Sequence, residues 1–346
     1  MSLIHLSERI KAEAKNLGFF ACGIAKAAPV DPDIAAAFGE WLAQGGNADM
    51  AYMANHADKR MDPRLLVPGV RSIVSVALSY VPARRIPKGE LQLAAYAYGQ
   101  DYHDIMKDKL RRLAAFAERL LDANGSTAQP NSPHDDTKPA DSIVRQPNGK
   151  EKVPRFRCFC DTAPVLERYW AVQAGLGWIG RNRQLIIPHA GSMFFLGELF
   201  LDVDMEYDKP MESRCGHCRA CLDACPTGAL RKGRSDFDAF SCLSYQTIEN
   251  RGQLSAAAVR SMGDFIYGCD RCQQACPWNR FAQPASEPEL KPSDELLSMT
   301  RDDWRALSVD DYRRIFKGSA VKRAKYEGLM RNINAALDHE DGGGED

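Results

Sequence analysis

The sequence has no feature of a membrane-spanning or exported protein. None of its apolar runs approaches the roughly 20 residues that a membrane helix needs. Its first residues, MSLIHLSERI, show neither the order of a signal peptide nor a twin-arginine pair. The formal net charge is only −1, so overall charge gives no attraction to nucleic acid. We expect a cytoplasmic monomer with no membrane partner.

Disulfide bonds are not expected either, although the chain contains 11 cysteines. In a chain without an export signal, so many cysteines indicate metal or redox chemistry. The length of 346 residues and the hydrophobic share of 45% suit two domains, each with a core of its own.

Hydrophobic periodicity predicts a mixture of helices and strands. Apolar residues at helical spacing predict helices over 3–17 and 104–121. The apolar run at 72–81 predicts a buried strand, and 184–204 predicts two strands. Residues 122–154 contain five prolines and few apolar side chains, which is typical of a disordered loop.

Two cysteine runs carry the most specific signal in the sequence. The first, CGHCRACLDACP at 215–226, has the spacing C-x2-C-x2-C-x3-C followed by proline. The second, CDRCQQACP at 269–277, repeats the pattern with one cysteine fewer. This spacing is typical of proteins with two 4Fe–4S clusters, in which three cysteines of a run hold one cluster and the last reaches the other.

Two such clusters need eight thiolates. The first cluster takes the first three cysteines of one run and the last of the other, namely Cys215, Cys218, Cys221 and Cys276. The second takes the remaining cysteines of both runs and the nearest thiol between them, namely Cys225, Cys269, Cys272 and Cys242. Three cysteines are left over: Cys22, Cys158 and Cys160. Structural zinc is the alternative, although zinc sites seldom use three cysteines at successive x2 spacing before a fourth and a proline.

Asp161 is the candidate acid in the other half of the chain. It precedes TAPVLERYWAVQA, so it fits the N-cap of a helix with Pro164 near the first turn. A carboxyl group in apolar surroundings would also have a raised pKa and could donate a proton. The glycines of AGLGWIG at 174–180 either let a flat ligand approach the backbone or form a tight turn.

Several motifs of the chain closely resemble the epoxyqueuosine reductase family. They occur in collinear order over roughly residues 5 to 335, and they include DTAPVLER, AGLGWIGRN, GSMFFLGEL, CLSYQTIE, CDRCQQACPWN and the first cysteine run. The sequence departs from the family in its long segment 122–153 and at Cys160, where the family more often has an aliphatic residue.

The resemblance implies an α+β protein. A nitroreductase-like, cobalamin-binding domain would occupy 1–205, with 122–153 as an insertion, and a ferredoxin-like domain with two 4Fe–4S clusters would occupy 206–285. A helical C-terminal region with an acidic tail would fill 286–346. The implied reaction reduces epoxyqueuosine to queuosine at the wobble position of tRNA. Electrons would pass from an unidentified donor through the clusters to cobalamin.

The same resemblance implies roles for individual residues. Asp161 matches the family's proton donor, since the departing oxygen needs an acid beside it. The motifs that line cobalamin contain Arg60, Tyr102, His103, Asp161, Arg181, Asn182 and Ser192. A core role for His103 is about equally compatible with the sequence.

A basic stretch at 313–331 is the candidate contact with tRNA. Its densest positions are Lys322, Arg323 and Lys325, although most charge runs are solvated surface. Two other functions compete with tRNA modification. A corrinoid reductive dehalogenase usually carries a twin-arginine signal, and a ferredoxin-type carrier leaves the first two hundred residues unexplained.

Overall fold

The computed structural model describes residues 2–123, 144–145, 151–152, 156–230 and 237–341. The end of the acidic tail and most of the segment predicted to be a disordered loop lie outside the described residues. Four residues of that segment are described, and there the prediction of no secondary structure is wrong. They pair as a short antiparallel ladder, Val144–Arg145 with Glu151–Lys152.

Helices outnumber strands among the described elements. The α-helices are α1 (Leu3–Asn16), α2 (Pro32–Ala43), α3 (Ala57–Met61), α4 (Pro63–Leu66), α5 (Tyr102–Asp122), α6 (Glu167–Gln173), α7 (Ala220–Asp223), α8 (Leu243–Ile248), α9 (Ala256–Met262), α10 (Arg271–Gln274), α11 (Asp294–Ser298), α12 (Arg301–Arg305), α13 (Val309–Ile315) and α14 (Lys325–Asp341). The strands are β1 (Ala21–Lys26), β2 (Ser72–Ser79), β3 (Gln92–Leu93), β4 (Val144–Arg145), β5 (Glu151–Lys152), β6 (Phe156–Phe159), β7 (Trp178–Ile179), β8 (Leu185–Ile186), β9 (Phe194–Leu201) and β10 (Phe265–Tyr267). The mixed α/β character expected from the sequence is confirmed.

A four-stranded antiparallel sheet forms the centre of the first half of the chain. Its strand order is β1-β2-β9-β6, with β2 and β9 in the middle. Helices α1 and α5 cover one face of the sheet and α6 packs on the other. Strand β2 is therefore buried on both faces, which explains its continuous apolar sequence. The buried strand predicted at 72–81 is confirmed.

Two predicted helices are confirmed, and both cover the same face of the sheet. Helix α1 runs from Leu3 to Asn16 and is followed by Gly18 in the left-handed conformation, with φ at 89°. Helix α5 starts two residues earlier than predicted, because the side chain of Asp101 caps it by accepting from the backbone N–H of His103. This early start places Tyr102 and His103 at the N-terminal end of the helix.

The two strands predicted within 184–204 are also present, but they do not pair with each other. Strand β8 pairs with the short strand β7, whereas β9 joins the central sheet. The turn between them is closed by a bridge between Ile187 and Gly191.

The C-terminal helices share a core with the cysteine-rich part of the chain. Buried side chains of α8, β10 and α14 pack together with residues from 86–98. The buried amide of Asn332 donates to the carbonyls of Thr247 and Ile266, at 2.8 Å each.

The domain boundaries at 205 and 285 remain predictions. In the described part of the chain, every helix is too short or too polar to span a lipid bilayer.

Candidate functional site

Asp161 lies in a turn between β6 and α6 rather than at the start of a helix. Its backbone is left-handed, with φ at 58°. Helix α6 begins only at Glu167, with Leu166 as its N-cap residue, so the interpretation of Asp161 as an N-cap is wrong. The physical reason is local: two tight turns, closed by the N–H groups of Thr162 and Val165, separate Asp161 from the helix.

The carboxylate of Asp161 is held by two residues from the start of α5. The hydroxyl of Tyr102 donates to its Oδ2 at 2.6 Å, and Nε2 of His103 lies 3.4 Å from the same oxygen. The other ring nitrogen of His103 lies 2.6 Å from Oδ1 of Asp101. The imidazole therefore lies between the carboxylates of Asp101 and Asp161. The side chain of Asp161 is 60% exposed.

This arrangement decides which of the two residues, His103 or Asp161, carries a proton. Although the carboxylate of Asp161 is exposed, the protein atoms around it would by themselves raise its pKa; the hydrogen bonds from His103 and Tyr102 outweigh this effect and lower that pKa. Burial alone would lower the pKa of His103, but the bonds to Asp101 and Asp161 raise it to about 9. At neutral pH the imidazole therefore carries the proton and the carboxylate of Asp161 is ionised.

Tyr102 begins a row of aromatic rings that leads towards the cysteine-rich region. Its ring stacks on Phe195, with centroids 4.1 Å apart and planes inclined by 3°. Phe195 packs in turn against Tyr80 at 4.7 Å. The hydroxyl of Tyr80 hydrogen-bonds the side chain of Gln273, and the thiol of Cys272 is among its electrostatic neighbours. The row fixes the ring of Tyr102 and hence the aim of its hydroxyl.

Arg60 is the third predicted residue near Asp161. Its side chain is 7% exposed, and one guanidinium nitrogen donates to the carbonyl of Tyr52 at 3.2 Å. Burial lowers the pKa of Arg60, and the nearby Tyr52 and Glu167 oppose that change. Its Nε has no hydrogen-bond partner among the described residues. Tyr102 and His103 thus contact Asp161 directly, whereas Arg60 lies near Glu167, which in turn contacts Asp161.

The other predicted cofactor residues lie elsewhere. Arg181 donates to the carbonyl of Gly216 at 2.8 Å, inside the first cysteine run. Ser192 is 3% exposed and its hydroxyl bonds Gln273 and Asn279, so it joins the sheet region to the second run.

Asn182 lies in the turn between β7 and β8. It is 3% exposed, and its Oδ1 accepts from the N–H of Gln184. Its Nδ2 finds no partner within the described part of the chain.

The first predicted group of cysteines is assembled around α7. Burial raises the pKa of Cys221 to about 11, and the neighbouring thiols of Cys276, Cys215 and Cys218 add to this shift. Cys276 also packs on the buried ring of Trp178. Cys218 is the exposed member.

The second predicted group lies around α10, which packs against α7. Burial raises the pKa of Cys272, and the nearby thiols of Cys269, Cys242 and Cys225 raise it further. The structure thus brings together the same two sets of four thiols that the sequence predicts. That each set binds a cluster stays a prediction.

Within the described ranges, no three His, Cys, Asp or Glu side chains converge closely enough to hold a single metal ion. A four-iron cubane is larger than one ion, so its four thiolates need only surround it.

The three predicted tRNA contacts, Lys322, Arg323 and Lys325, differ in whether a neighbouring carboxylate already binds them. Arg323 donates to both carboxylate oxygens of Glu249 through Nε and one terminal nitrogen of its guanidinium, at 2.8 and 2.7 Å. Lys322 and Lys325 instead line a surface groove of about 410 Å³, together with Arg313 and two tyrosines.

Four important residues were missed by the sequence analysis. Asp101 and Phe195 orient His103 and Tyr102, and Glu167 and Glu198 lie behind Asp161. Only Glu198 left a signal, as the single charged residue in the strand FFLGELFL.

Comparisons with known proteins agree with this geometry. Residues 214–279 match the family model of a 4Fe-4S double cluster binding domain. Residues 60–129, which include Arg60, Tyr102 and His103, match the model described as Epoxyqueuosine reductase QueG, DUF1730.

Relatives match nearly the whole chain. The epoxyqueuosine reductase of Cellulophaga algicola is 40% identical over 328 residues, which are 95% of this chain and 97% of that protein. A crystal structure of epoxyqueuosine reductase with an epoxyqueuosine-modified tRNA-Tyr stem loop is 27% identical, with a TM-score of 0.76 over 98% of this chain and 82% of that one. The Bacillus subtilis epoxyqueuosine reductase, with its aspartate-bearing catalytic loop swung out of the active site, is 26% identical, with a TM-score of 0.79 over 99% of this chain and 84% of that one. The chain therefore belongs to the epoxyqueuosine reductase family of tRNA-modifying oxidoreductases.

Proposed function

We propose that this protein reduces the epoxide of epoxyqueuosine in tRNA to the alkene of queuosine, with Asp161 as the proton donor. The observation that carries the proposal is the carboxylate of Asp161, which is exposed to a ligand yet tied to a protonated imidazole. In this reaction both carbon–oxygen bonds of the epoxide break, a carbon–carbon double bond forms and the oxygen leaves as water. Two electrons and two protons are consumed.

The protein supplies the protons through the pair of His103 and Asp161. In the free site the proton rests on His103 and the carboxylate is ionised. A ligand that covers the exposed carboxylate removes water from it and so raises its pKa. The proton then moves from His103 to Asp161 and from there to the departing oxygen. The second proton follows the same path after His103 has taken up a proton from solvent. Asp101 stays ionised behind His103 and keeps the ring in place.

Electrons enter through two 4Fe–4S clusters, according to this proposal. The two sets of four thiols support it, because each set has the number and type of ligands that a cubane needs. A ferredoxin-like fold for this region, a nitroreductase-like fold for the sheet region and the boundaries at 205 and 285 belong to the same proposal.

Cobalamin is the proposed partner of these clusters, and two of the predicted cofactor residues fit it in chemistry. When bound, it would supply a cobalt centre able to take up single electrons for the reduction. Its amide side chains need hydrogen-bond donors. The buried N–H groups of Arg60 and Asn182, which no described residue satisfies, are of that type. Ser192 fits less well, since its hydroxyl already has two partners.

The groove between α13 and α14 is the proposed contact with the tRNA backbone. Lys322 and Lys325 supply positive charge there. Glu327 also lines the groove, and Arg313 is paired with Asp310 at 3.3 Å. The rings of Tyr312 and Tyr326 form part of its wall. The charge of Arg323 is neutralised by Glu249, so we assign it a smaller share of phosphate binding than the sequence suggests. A tRNA substrate also fits a cytoplasmic location.

The proposal is tested by activity of the reconstituted protein. Anaerobically prepared protein with iron, sulfide and cobalamin, given a chemical reductant, should convert epoxyqueuosine to queuosine in tRNA, as seen by mass spectrometry of the nucleosides. A haloarene tested in parallel should not change. Dehalogenation without tRNA conversion would support the corrinoid dehalogenase instead, and conversion of neither substrate would leave only an electron carrier.

A further inference from the structure

Strand β9 carries a carboxylic acid in the middle of the protein. Glu198 is fully buried, with 0% of its surface exposed. It pairs in register with Ser75 of β2 and Phe159 of β6, and it faces the side of the sheet that α6 covers. An isolated carboxylate in such a place is costly, so the side chain needs either a partner or a proton.

The partner of Glu198 is another carboxyl group, that of Glu167 in the first turn of α6. Glu167 lies beside Glu198, and its charge and side-chain contact raise the pKa of Glu198 further. Among the described residues, no N–H or hydroxyl donor reaches either oxygen of Glu198. Two carboxyl groups can share a hydrogen bond only when one of them carries a proton. Burial raises the pKa of Glu198 well above its usual range and that of Glu167 to about 8, so the pair keeps a proton at neutral pH.

The same Glu167 side chain also holds the backbone of Asp161. The N–H of Asp161 donates to Oε1 of Glu167. Asp161 has a left-handed φ of 58°, which costs free energy in a residue other than glycine. A contact that fixes this backbone conformation also fixes the direction in which the carboxylate points towards Tyr102 and His103.

We propose that Glu167 is a positioning residue that holds the Asp161 turn in its active conformation, and that the buried Glu198 holds Glu167 in place. This inference rests on the proposed function, in which Asp161 is the acid. The carboxyl pair has one further consequence. Above the pH at which it loses its shared proton, two adjacent carboxylates repel each other and the turn is released.

Six other charged or titratable groups surround the pair of Glu167 and Glu198 in the described part of the chain. They come from α3, α5, α6 and the end of β6, and they are Arg60, Tyr102, His103, Arg168, Cys160 and Asp161. Arg168 and His103 favour the ionised form of Glu167, whereas Asp161 opposes it. Burial and Asp161 outweigh the two cations, which is why the proton remains.

The test compares a variant that removes the contact with variants that keep it. Glu167→Met retains the length of the side chain but can neither accept from Asp161 nor bond Glu198. With the cofactor-loaded protein, single-turnover reduction of epoxyqueuosine in tRNA should fall by about 10-fold or more. The KM for tRNA, the iron content and the cobalamin content should stay near those of the parent. Glu40→Met, on the exposed face of α2, is the matched control.

Two conservative variants separate positioning from bulk structure. In Glu167→Gln the amide still accepts from the N–H of Asp161 and its NH₂ donates to Glu198, so most of the rate lost in Glu167→Met should return. In Glu198→Gln the amide likewise donates to Glu167. Because neither pair can lose a shared proton, the decline of rate above about pH 8 in the parent should weaken in both variants.

A second measurement does not depend on catalysis. Hydrogen exchange at the amide of Asp161 should be slow in the parent and in Glu167→Gln, and fast in Glu167→Met. Unchanged exchange in Glu167→Met, or a rate loss fully explained by lost cofactor or a higher KM, overturns the positioning role. If the parent itself does not act on epoxyqueuosine, the proposed function fails, while the exchange result still decides whether Glu167 holds the turn.

Discussion

The hydroxyl of Tyr102 and Oδ2 of Asp161 lie 2.6 Å apart, and the same oxygen faces the imidazole of His103 at 3.4 Å. Burial raises the pKa of Tyr102, so the hydroxyl keeps its proton and acts as the donor. A carboxylate that receives two such contacts is stabilised in its ionised form. Asp161, the acid that we propose, is therefore charged before its ligand arrives and must be reprotonated in place.

Tyr102→Phe tests the contribution of the hydroxyl. The ring and its stacking on Phe195 are kept, but one hydrogen bond to the ionised form of Asp161 is lost, so the pKa of that carboxyl should rise. We expect the single-turnover rate to fall by about 10-fold, because the carboxylate is no longer aimed. Tyr169→Phe, which removes a hydroxyl bound to the N–H of Asp31, is the control. Equal rates in both variants would contradict the role of Tyr102.

His103 should make the stability of the protein depend on pH in the alkaline range. Its pKa is about 6.5 when unfolded and about 9 when folded, so the folded protein binds the proton more tightly. This contribution to stability is fully present below pH 6.5 and is lost as the pH rises through 9. Thermal unfolding of the parent and of His103→Gln between these values checks it. The advantage of the parent should shrink with rising pH, and a constant difference would contradict the ion pair.

The cysteine assignment predicts different effects for two single substitutions. Cys242→Ala removes one thiol of the second group, so the reconstituted protein should hold about four irons instead of about eight. Cys22→Ala lies outside both groups, beside Lys11 and Asp208, and should leave the iron content unchanged. Iron and sulfide analysis after anaerobic reconstitution decides. Equal losses in the two variants would show that the assignment is wrong.

If the groove on the C-terminal helices binds tRNA phosphates, the salt dependence of tRNA binding should depend on its lysines. Lys322→Ala with Lys325→Ala should weaken tRNA binding and reduce the slope of log K against log salt by about 0.7 to 0.9 per lost phosphate contact. Arg323→Ala should change the slope less, because Glu249 already neutralises that guanidinium. The rate of the chemical step at saturating tRNA should hardly change. If the double variant keeps the parent's slope, the tRNA binds elsewhere.

Sequence patterns predicted correctly those elements whose structure depends on residues close together in the chain. The periodicity of α1 and the apolar run of β2 led to the right elements, because both bury a continuous face against the same core. The two sets of thiols also agree with the sequence, since the spacing of the runs indicates which of their cysteines can converge, and Cys242 is the nearest thiol between the runs.

The error at Asp161 has a different origin. The sequence around it satisfies the rules for a helix N-cap, and only the two tight turns before Glu167 exclude that role. The contact of Glu167 with Glu198 joins a helix and a strand that are distant in sequence, so no local pattern reveals it. The same holds for the bond between Arg323 and Glu249, which neutralises the charge of one predicted phosphate contact.

The most direct test of the central claim is the single-turnover rate of Asp161→Asn. Asparagine preserves the size of the side chain and can still accept from Tyr102, but it has no proton to give. Conversion of epoxyqueuosine should therefore fall by roughly 100-fold or more at pH 7. Iron content, cobalamin content and tRNA affinity should match those of the parent. A variant that converts the substrate at the parent's rate would contradict the account, because the acid would then be another residue.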